Sequence, residues 1–283
     1  MGFHSKPTTF VGHVKIKVEN LERSLTFYRE VLGLDILEQT SSAARLTTDG
    51  KTSILSLEQP ENVIAKQGRA TGLYHFAILL PERSDLADIV VHLIDKGIRF
   101  GASDHLVSEA LYLDDPDGNG IEIYSDRDPS TWKWEGNNVA MTTIRLDIEN
   151  LLTCAKSGKA WKGMPEGTVM GHIHLHVADL DQAEEFYIKG LGLDVVSRFA
   201  GQALFMSDEK YHHHVAVNVW SGVGAPRPAE NSVGLESFTL VYADEEARQA
   251  AINQLQQIGA SVLKEENEWI TQDPSGNRVV LAI

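Results

Sequence analysis

The chain is short of cysteine, of basic residues and of long apolar runs, and each shortage excludes something. Cys154 is the single cysteine among 283 residues, so no internal disulfide can form, which suits a reducing compartment. Its neighbourhood, LLTCAKS, holds no histidine that could activate a nucleophilic thiol. Lysine and arginine total 25 against 40 aspartates and glutamates, for a formal net charge of −15. No basic cluster offsets that average, so nucleic acid and anionic membrane are poor partners, because phosphate binding needs a positive patch. No apolar stretch approaches the roughly 20 residues of a membrane span. The first ten residues, MGFHSKPTTF, lack the apolar run of a signal peptide. The cytoplasm is the expected location.

What is present is a duplication. Residues 12–34, GHVKIKVENLERSLTFYREVLGL, align without gaps on residues 171–193, GHIHLHVADLDQAEEFYIKGLGL. Gly12 falls on Gly171, His13 on His172, Phe27-Tyr28 on Phe186-Tyr187 and Gly33 on Gly192. A second pair, LYLDDPDGNGIEI at 111–123 and WITQDPSGNRVVL at 269–281, matches more weakly. The length also suits two domains, at roughly 100–200 residues each. The spacing therefore predicts an N-terminal domain over 8–126, a linker over 127–167 and a C-terminal domain over 168–283. The linker should hold one short helix, at LDIENLLTCAKS.

Each half divides again. Val14, Ile16 and Val18 alternate with His13, Lys15 and Lys17, the pattern of a half-buried strand. Asn20 is placed to cap a helix over 21–32, whose Leu21, Leu25, Tyr28 and Leu32 form one stripe, with Gly33 at its end. Strands follow around 35–47 and 53–58, with a turn at DGK. Residues 73–124 repeat that order: the strand LYHFAILL, a helix ending at Gly97, then strands at EALYLDD and GIEIYS around the turn DPDGNG. The expected class is α+β, with four βαβββ modules in tandem, paired into two domains with cup-shaped sheets.

Three residues stand out as metal ligands: His13 and His75, each near the start of its module's first strand, and Glu122 in a last strand. Alternation turns Glu122 away from Ile121 and Ile123, towards the concave side of the sheet, where a carboxylate needs a partner. Taken alone, His13 is an ordinary strand histidine and Glu122 could pair with Lys15 or Arg45. Together, two histidines and a carboxylate make the facial triad typical of non-haem Fe(II).

The opening HVKIKVENLERSLTFY and the closing DPDGNGIE resemble the vicinal oxygen chelate superfamily, which includes glyoxalase I, fosfomycin and bleomycin resistance proteins, and type I extradiol dioxygenases. The resemblance covers nearly the whole chain outside the linker. It implies that two modules build one cup, with a metal inside held from first and last strands. HLVSEALYLDDPDGNGIE at 105–122 is also similar to the extradiol ring-cleavage motif, through His105, Leu111-Tyr112, Asp115-Pro116, Gly118 and Glu122. The resemblance then implies a catechol 2,3-dioxygenase-like enzyme of the bacterial two-domain group, acting on a small aromatic diol with O₂. His105 and Tyr112 would flank the metal and hydrogen-bond the substrate oxygens. Fe(II) is the expected ion, and Mn(II) suits the same donors. Edge strands often pair between subunits in this family, which leaves a homo-oligomer open.

Other readings stand beside this one. A glyoxalase-like isomerase or thiol transferase would use the same fold with Ni, Zn or Mn and no O₂. A non-catalytic binder of an aromatic ligand would need no metal. The C-terminal half has Ser237 and Val280 where the first half has His75 and Glu122, so it cannot hold the same triad. Its His172, His174 and His176, with His212, His213 and His214, fit a second metal site without a carboxylate, a reach of His214 towards the N-terminal cup, or a satisfied polar remnant of the duplication.

Overall fold

Residues that alternate in polarity become strands, and those with helical spacing become helices. The computed structural model describes residues 2–156 and 161–283. Module one is β1 (Phe10–Lys17), α1 (Leu21–Glu30), β2 (Asp35–Gln39), β3 (Ala43–Thr47) and β4 (Ser53–Glu58). Module two is β5 (Gly72–Leu79), α2 (Arg83–Asp95), β6 (Gly101–Asp104), β7 (Ser108–Asp114) and β8 (Gly120–Asp126). The connecting segment has a 3₁₀ turn (Pro129–Thr131), the short strands β9 (Trp134–Glu135), β10 (Asn138–Val139) and β11 (Ile144–Arg145), and the helix α3 (Ile148–Leu152). That helix is the one expected within LDIENLLTCAKS, whose Ser157 lies outside the described residues. Module three is β12 (Val169–His176), α4 (Leu180–Glu184) running into a π-helical turn (Glu185–Gly190), β13 (Asp194–Phe199), β14 (Ala203–Ser207) and β15 (Val215–Asn218). Module four is β16 (Gly234–Val241), α5 (Glu245–Gln257), β17 (Val262–Glu265), β18 (Glu268–Gln272) and β19 (Arg278–Ala282).

Helix starts follow the sequence. Asn20 Oδ1 accepts from the Arg23 amide at 2.9 Å, and Asp179 does the same for Gln182 in the repeat. Gly33 takes φ +75°, the left-handed conformation that lets the chain leave α1.

The sheets are joined differently from the expected division into halves. One has the order β17-β18-β19-β16-β1-β4-β3-β2, and so combines modules one and four. The other runs β11-β6-β7-β8-β5-β12-β15-β14-β13, and combines modules two and three. The junctions are the antiparallel pairs β1–β16 and β5–β12. Each first strand thus extends its sheet through a first strand from the other half. The two cup-shaped sheets exist, but no cup is built from residues 8–126 alone. Local alternation fixes which face of a strand is buried. It leaves open which strand lies alongside.

The repeated FY and DPxGN motifs link modules within a half. Asp115 Oδ1 accepts from the amides of Asp117 and Asn119, and its Oδ2 accepts from the buried Tyr28 hydroxyl at 2.9 Å. Tyr187 and Asp273 repeat the contact at 3.0 Å. Both motifs therefore fasten a helix to a last-strand turn. One continuous apolar core, running from Val14 and Tyr28 through Phe76 and Ile173 to Phe238, packs under both sheets.

Candidate metal centre and active site

The site forms along one row of the second sheet. Tyr112 on β7 lies opposite Glu122 on β8, Glu122 opposite Ala77 on β5, and Ala77 opposite His172 on β12. Ala77 carries only a methyl group, so Glu122 and His172 meet above it. His75, two residues before Ala77, lies on the same face of β5, because side chains alternate along a strand. Gly120, beside His75, lets β8 come this close, since a Cβ there would collide with the Tyr74 carbonyl oxygen. Ile121 and Ile123 are buried in the core, where β8 packs against α2. That anchoring turns Glu122 to the opposite face, as alternation requires.

Glu122 is 3% exposed and His172 1%. His172 Nε2 lies 3.2 Å from Glu122 Oε2, and His75 Nε2 lies 3.0 Å from the same oxygen. One ligand atom from each of the three residues lies within 4.8 Å of the others. Burial lowers the His172 pKa from 6.5 to about 4, against the opposing pull of Glu122. Its imidazole is therefore neutral near pH 7, the form that binds metals. Burial alone would raise the Glu122 carboxyl, but the contacts to His172 and His75 outweigh it and hold the pKa well below the usual value. Among the described residues, His75 Nε2 has no well-formed hydrogen bond although it is buried. An unpartnered buried ring nitrogen aimed at a carboxylate fits a cation between them. Two imidazoles and one carboxylate are a donor set for a divalent first-row metal.

A cavity of about 300 Å³ opens over this row, lined by Tyr74, His75, His105, Tyr112, Glu122, His213 and Trp220 among others. His105 Nδ1 donates to the Thr142 carbonyl at 2.8 Å. That leaves His105 Nε2 with its lone pair, so it accepts from the Tyr112 hydroxyl at 2.6 Å. Burial and then the charge of Glu122 push the Tyr112 pKa well above 10. The hydroxyl stays protonated and can donate. Tyr74 and Trp220 pack edge to face at the rim, with ring centroids 5.2 Å apart.

The structure thus brings His75, Glu122, His105 and Tyr112 into one cavity, and leaves out His13. His13 lies on β1 in the other sheet, opposite Thr239 of β16, and its Nε2 is 2.8 Å from Ser56 Oγ. Burial, then Arg45 and Lys15, lower its pKa to about 4. The reason is the strand order: β5 borders β12, so the repeat partner of His13, His172, fills the place expected for His13. The sequence carried a faint signal for this, since HIHLH puts three histidines on one strand face where HVKIK puts one.

The other histidines of the C-terminal half have separate partners. His174 Nε2 accepts from the Asn218 amide at 2.9 Å, and His176 Nδ1 donates to Asn218 Oδ1 at 2.8 Å. His214 donates to the Phe3 carbonyl at 2.9 Å. Among the described residues, His75, Glu122 and His172 are the one group of three such donors close enough to share a metal. Sequence reasoning also missed His213 as a residue of this cavity. Its ring centroid lies 4.0 Å from that of His172.

Known proteins bear on this geometry. The model of the glyoxalase/bleomycin resistance protein/dioxygenase superfamily matches residues 10–123 and again 169–281. A protein of Bacillus subtilis named catechol-2,3-dioxygenase is 46% identical over 280 residues, covering 97% of this chain and 98% of its own length. Biphenyl-2,3-diol 1,2-dioxygenase 3 of Rhodococcus globerulus is 31% identical over 56% of this chain and 86% of its own. The crystal structure of glyoxalase I from Zea mays superposes with a TM-score of 0.58 at 17% identity, over 96% of this chain and 92% of that one, a likeness of fold. With the family matched in both halves and a relative of such identity along nearly its whole length, the chain belongs to the glyoxalase/bleomycin resistance protein/dioxygenase superfamily.

Proposed function

We propose that the chain is an extradiol dioxygenase, which opens the ring of a catechol-type diol with O₂ beside its two hydroxyls. The observation that carries this reading is the meeting of His75, His172 and Glu122 beside a cavity that His75 and Glu122 line together with the His105–Tyr112 pair. The relative named catechol-2,3-dioxygenase supports it. His75, Glu122 and His172 would hold the metal, Fe(II) by preference and Mn(II) as the substitute the same donors accept. When bound, iron(II) would supply open coordination positions and reducing electrons for joining a diol to O₂.

The chain's own residues do the rest. The rims of Tyr74 and Trp220 give an aromatic ring flat apolar surfaces. Tyr112 has one hydroxyl proton, held at rest by His105 Nε2, and would turn it to a substrate oxygen where negative charge grows. His105, fixed by Thr142, holds the Tyr112 hydroxyl in place. A diol must lose a proton as it binds, and His213 is a neutral imidazole on the cavity wall that can take it. Its pKa is lowered well below 6.5, by burial first and then by His172.

The test mixes anaerobically iron-loaded protein with catechols and air, and records O₂ uptake with the yellow ring-fission product. One O₂ consumed per diol is expected. Turnover of a thiol adduct without O₂ uptake, and silence on a panel of substituted catechols, would replace this reading with an isomerase or transferase.

A further inference from the structure

We infer that Asp126 and His212 are positioning residues that set which ring nitrogen of His213 faces the cavity as a base. The inference rests on the dioxygenase reading for its meaning in catalysis, and on geometry alone for the tautomer.

The geometry is a chain of three side chains, two buried histidines and a partly exposed Asp126. Asp126, the last residue of β8, places Oδ1 2.8 Å from His212 Nε2. A carboxylate only accepts, so His212 Nε2 carries the proton. Holding one ring proton, His212 keeps its lone pair on Nδ1. That atom lies 2.8 Å from His213 Nδ1. Two ring nitrogens so close share one proton, and with His212 Nδ1 bare that proton is on His213. His213 is therefore protonated on Nδ1 and keeps its lone pair on Nε2. Among the described residues, Nε2 of His213 makes no hydrogen bond, and its ring lines the cavity beside His75 and Glu122.

The packing locks the arrangement. His212 is 1% exposed. The Tyr211 ring lies over it with centroids 4.1 Å apart, and the Trp132 ring meets it edge-on at 5.3 Å. The hydroxyls of Tyr124 and Tyr211 satisfy one another at 2.6 Å. A free imidazole favours its proton on Nε2, which would leave no base towards the substrate. The Asp126–His212 pair reverses that preference.

The direct test reads the tautomer by nitrogen NMR on the full chain labelled at histidine, without added metal. His213 signals are assigned by their loss in His213→Gln. Protonated Nδ1 and bare Nε2 are expected in the wild type, and a shift towards protonated Nε2 in Asp126→Ala. Protonated Nε2 in the wild type overturns the inference, whether or not the chain cleaves catechols. Kinetics of iron-loaded protein give the second readout. Asp126→Ala should lower kcat by about 10–100-fold, with KM and bound iron unchanged. Asp126→Asn, which keeps an acceptor oxygen, should recover part of the loss. Equal kcat in the wild type and Asp126→Ala, with His213→Gln impaired, overturns the proposal. If Asp126→Ala does not fold, the wild-type tautomer still decides.

Discussion

His172 Nε2 lies 3.2 Å from Glu122 Oε2, above Ala77, and this contact joins the two halves of a duplicated sequence in one site. His13 occupies the same place in the repeat and ends in the other sheet. The duplication therefore supplied two equivalent histidines, and strand neighbours chose between them.

Metal retention should follow that choice. Glu122→Ala and His172→Ala should each weaken Fe(II) or Zn(II) binding by more than about 100-fold, the upper range for losing even an outer partner of a ligand. His13→Ala should leave it unchanged. Equilibrium dialysis with metal analysis decides, and loss of metal in His13→Ala would sink the assignment.

Ala77 should tolerate no larger side chain. A leucine there would wedge between Glu122 and His172 and overpack a fully buried position. Ala77→Leu is expected to cost about 1–3 kcal/mol in denaturant unfolding. It should also lose metal, while an equally buried change such as Ile89→Leu on α2 keeps it.

Removing the Tyr112 hydroxyl should slow turnover without emptying the site. Tyr112→Phe is expected to lower kcat by about 10–100-fold, with stoichiometric iron retained. Stopped-flow kinetics alongside iron analysis would check this. An unchanged kcat would reduce Tyr112 to a packing residue.

The tyrosine–aspartate clasps should carry stability and no activity. Tyr28→Phe leaves the buried Asp115 with one donor fewer, and Tyr187→Phe does the same to Asp273. Each should cost about 1–3 kcal/mol in urea unfolding. Identical unfolding curves for wild type and both variants would show that the clasps contribute nothing.

Acid should weaken the fold through its buried neutral histidines. Burial lowers the His4 pKa from 6.5 to about 4, while its bond to the Gly171 carbonyl opposes the shift. His214 is lowered well below 6.5, by burial and then by His4. Below pH 6.5 the unfolded chain binds protons that the folded chain refuses, at His4 until about pH 4. Their contribution is therefore complete above pH 6.5 and is lost as pH falls towards 4. Urea midpoints at pH 7.5 and 5 should differ less in His4→Asn than in the wild type, and equal differences would refute the assignment.

Much of the fold was legible. The strands that carry His13 and His75, the Asn20 cap, the Gly33 helix exit and the DPDGNG turn all rest on contacts within a few residues, and local pattern records those. The linker segment around Cys154 was legible only as one short helix, because its side chains pack on α2 and carry no period of their own. Within the site, His75 and Glu122 could be read because each lies in a module with its motif intact. His105 and Tyr112 could be read through motif likeness, and their bond to each other depends on the β7–β8 pairing and the Thr142 carbonyl. His213 gave no such signal, since YHHHV does not say which of three adjacent histidines turns to the cavity.

By itself the sequence determined the four modules, the class of the fold and the chemistry of the donor types, because periodicity, caps and turns act over short distances. Only the tertiary structure decided that module two joins module three, and so that His172 and not His13 meets Glu122. That decision lies in the antiparallel pairing of β5 with β12 across nearly 100 residues of chain, a long-range contact that local periodicity does not record.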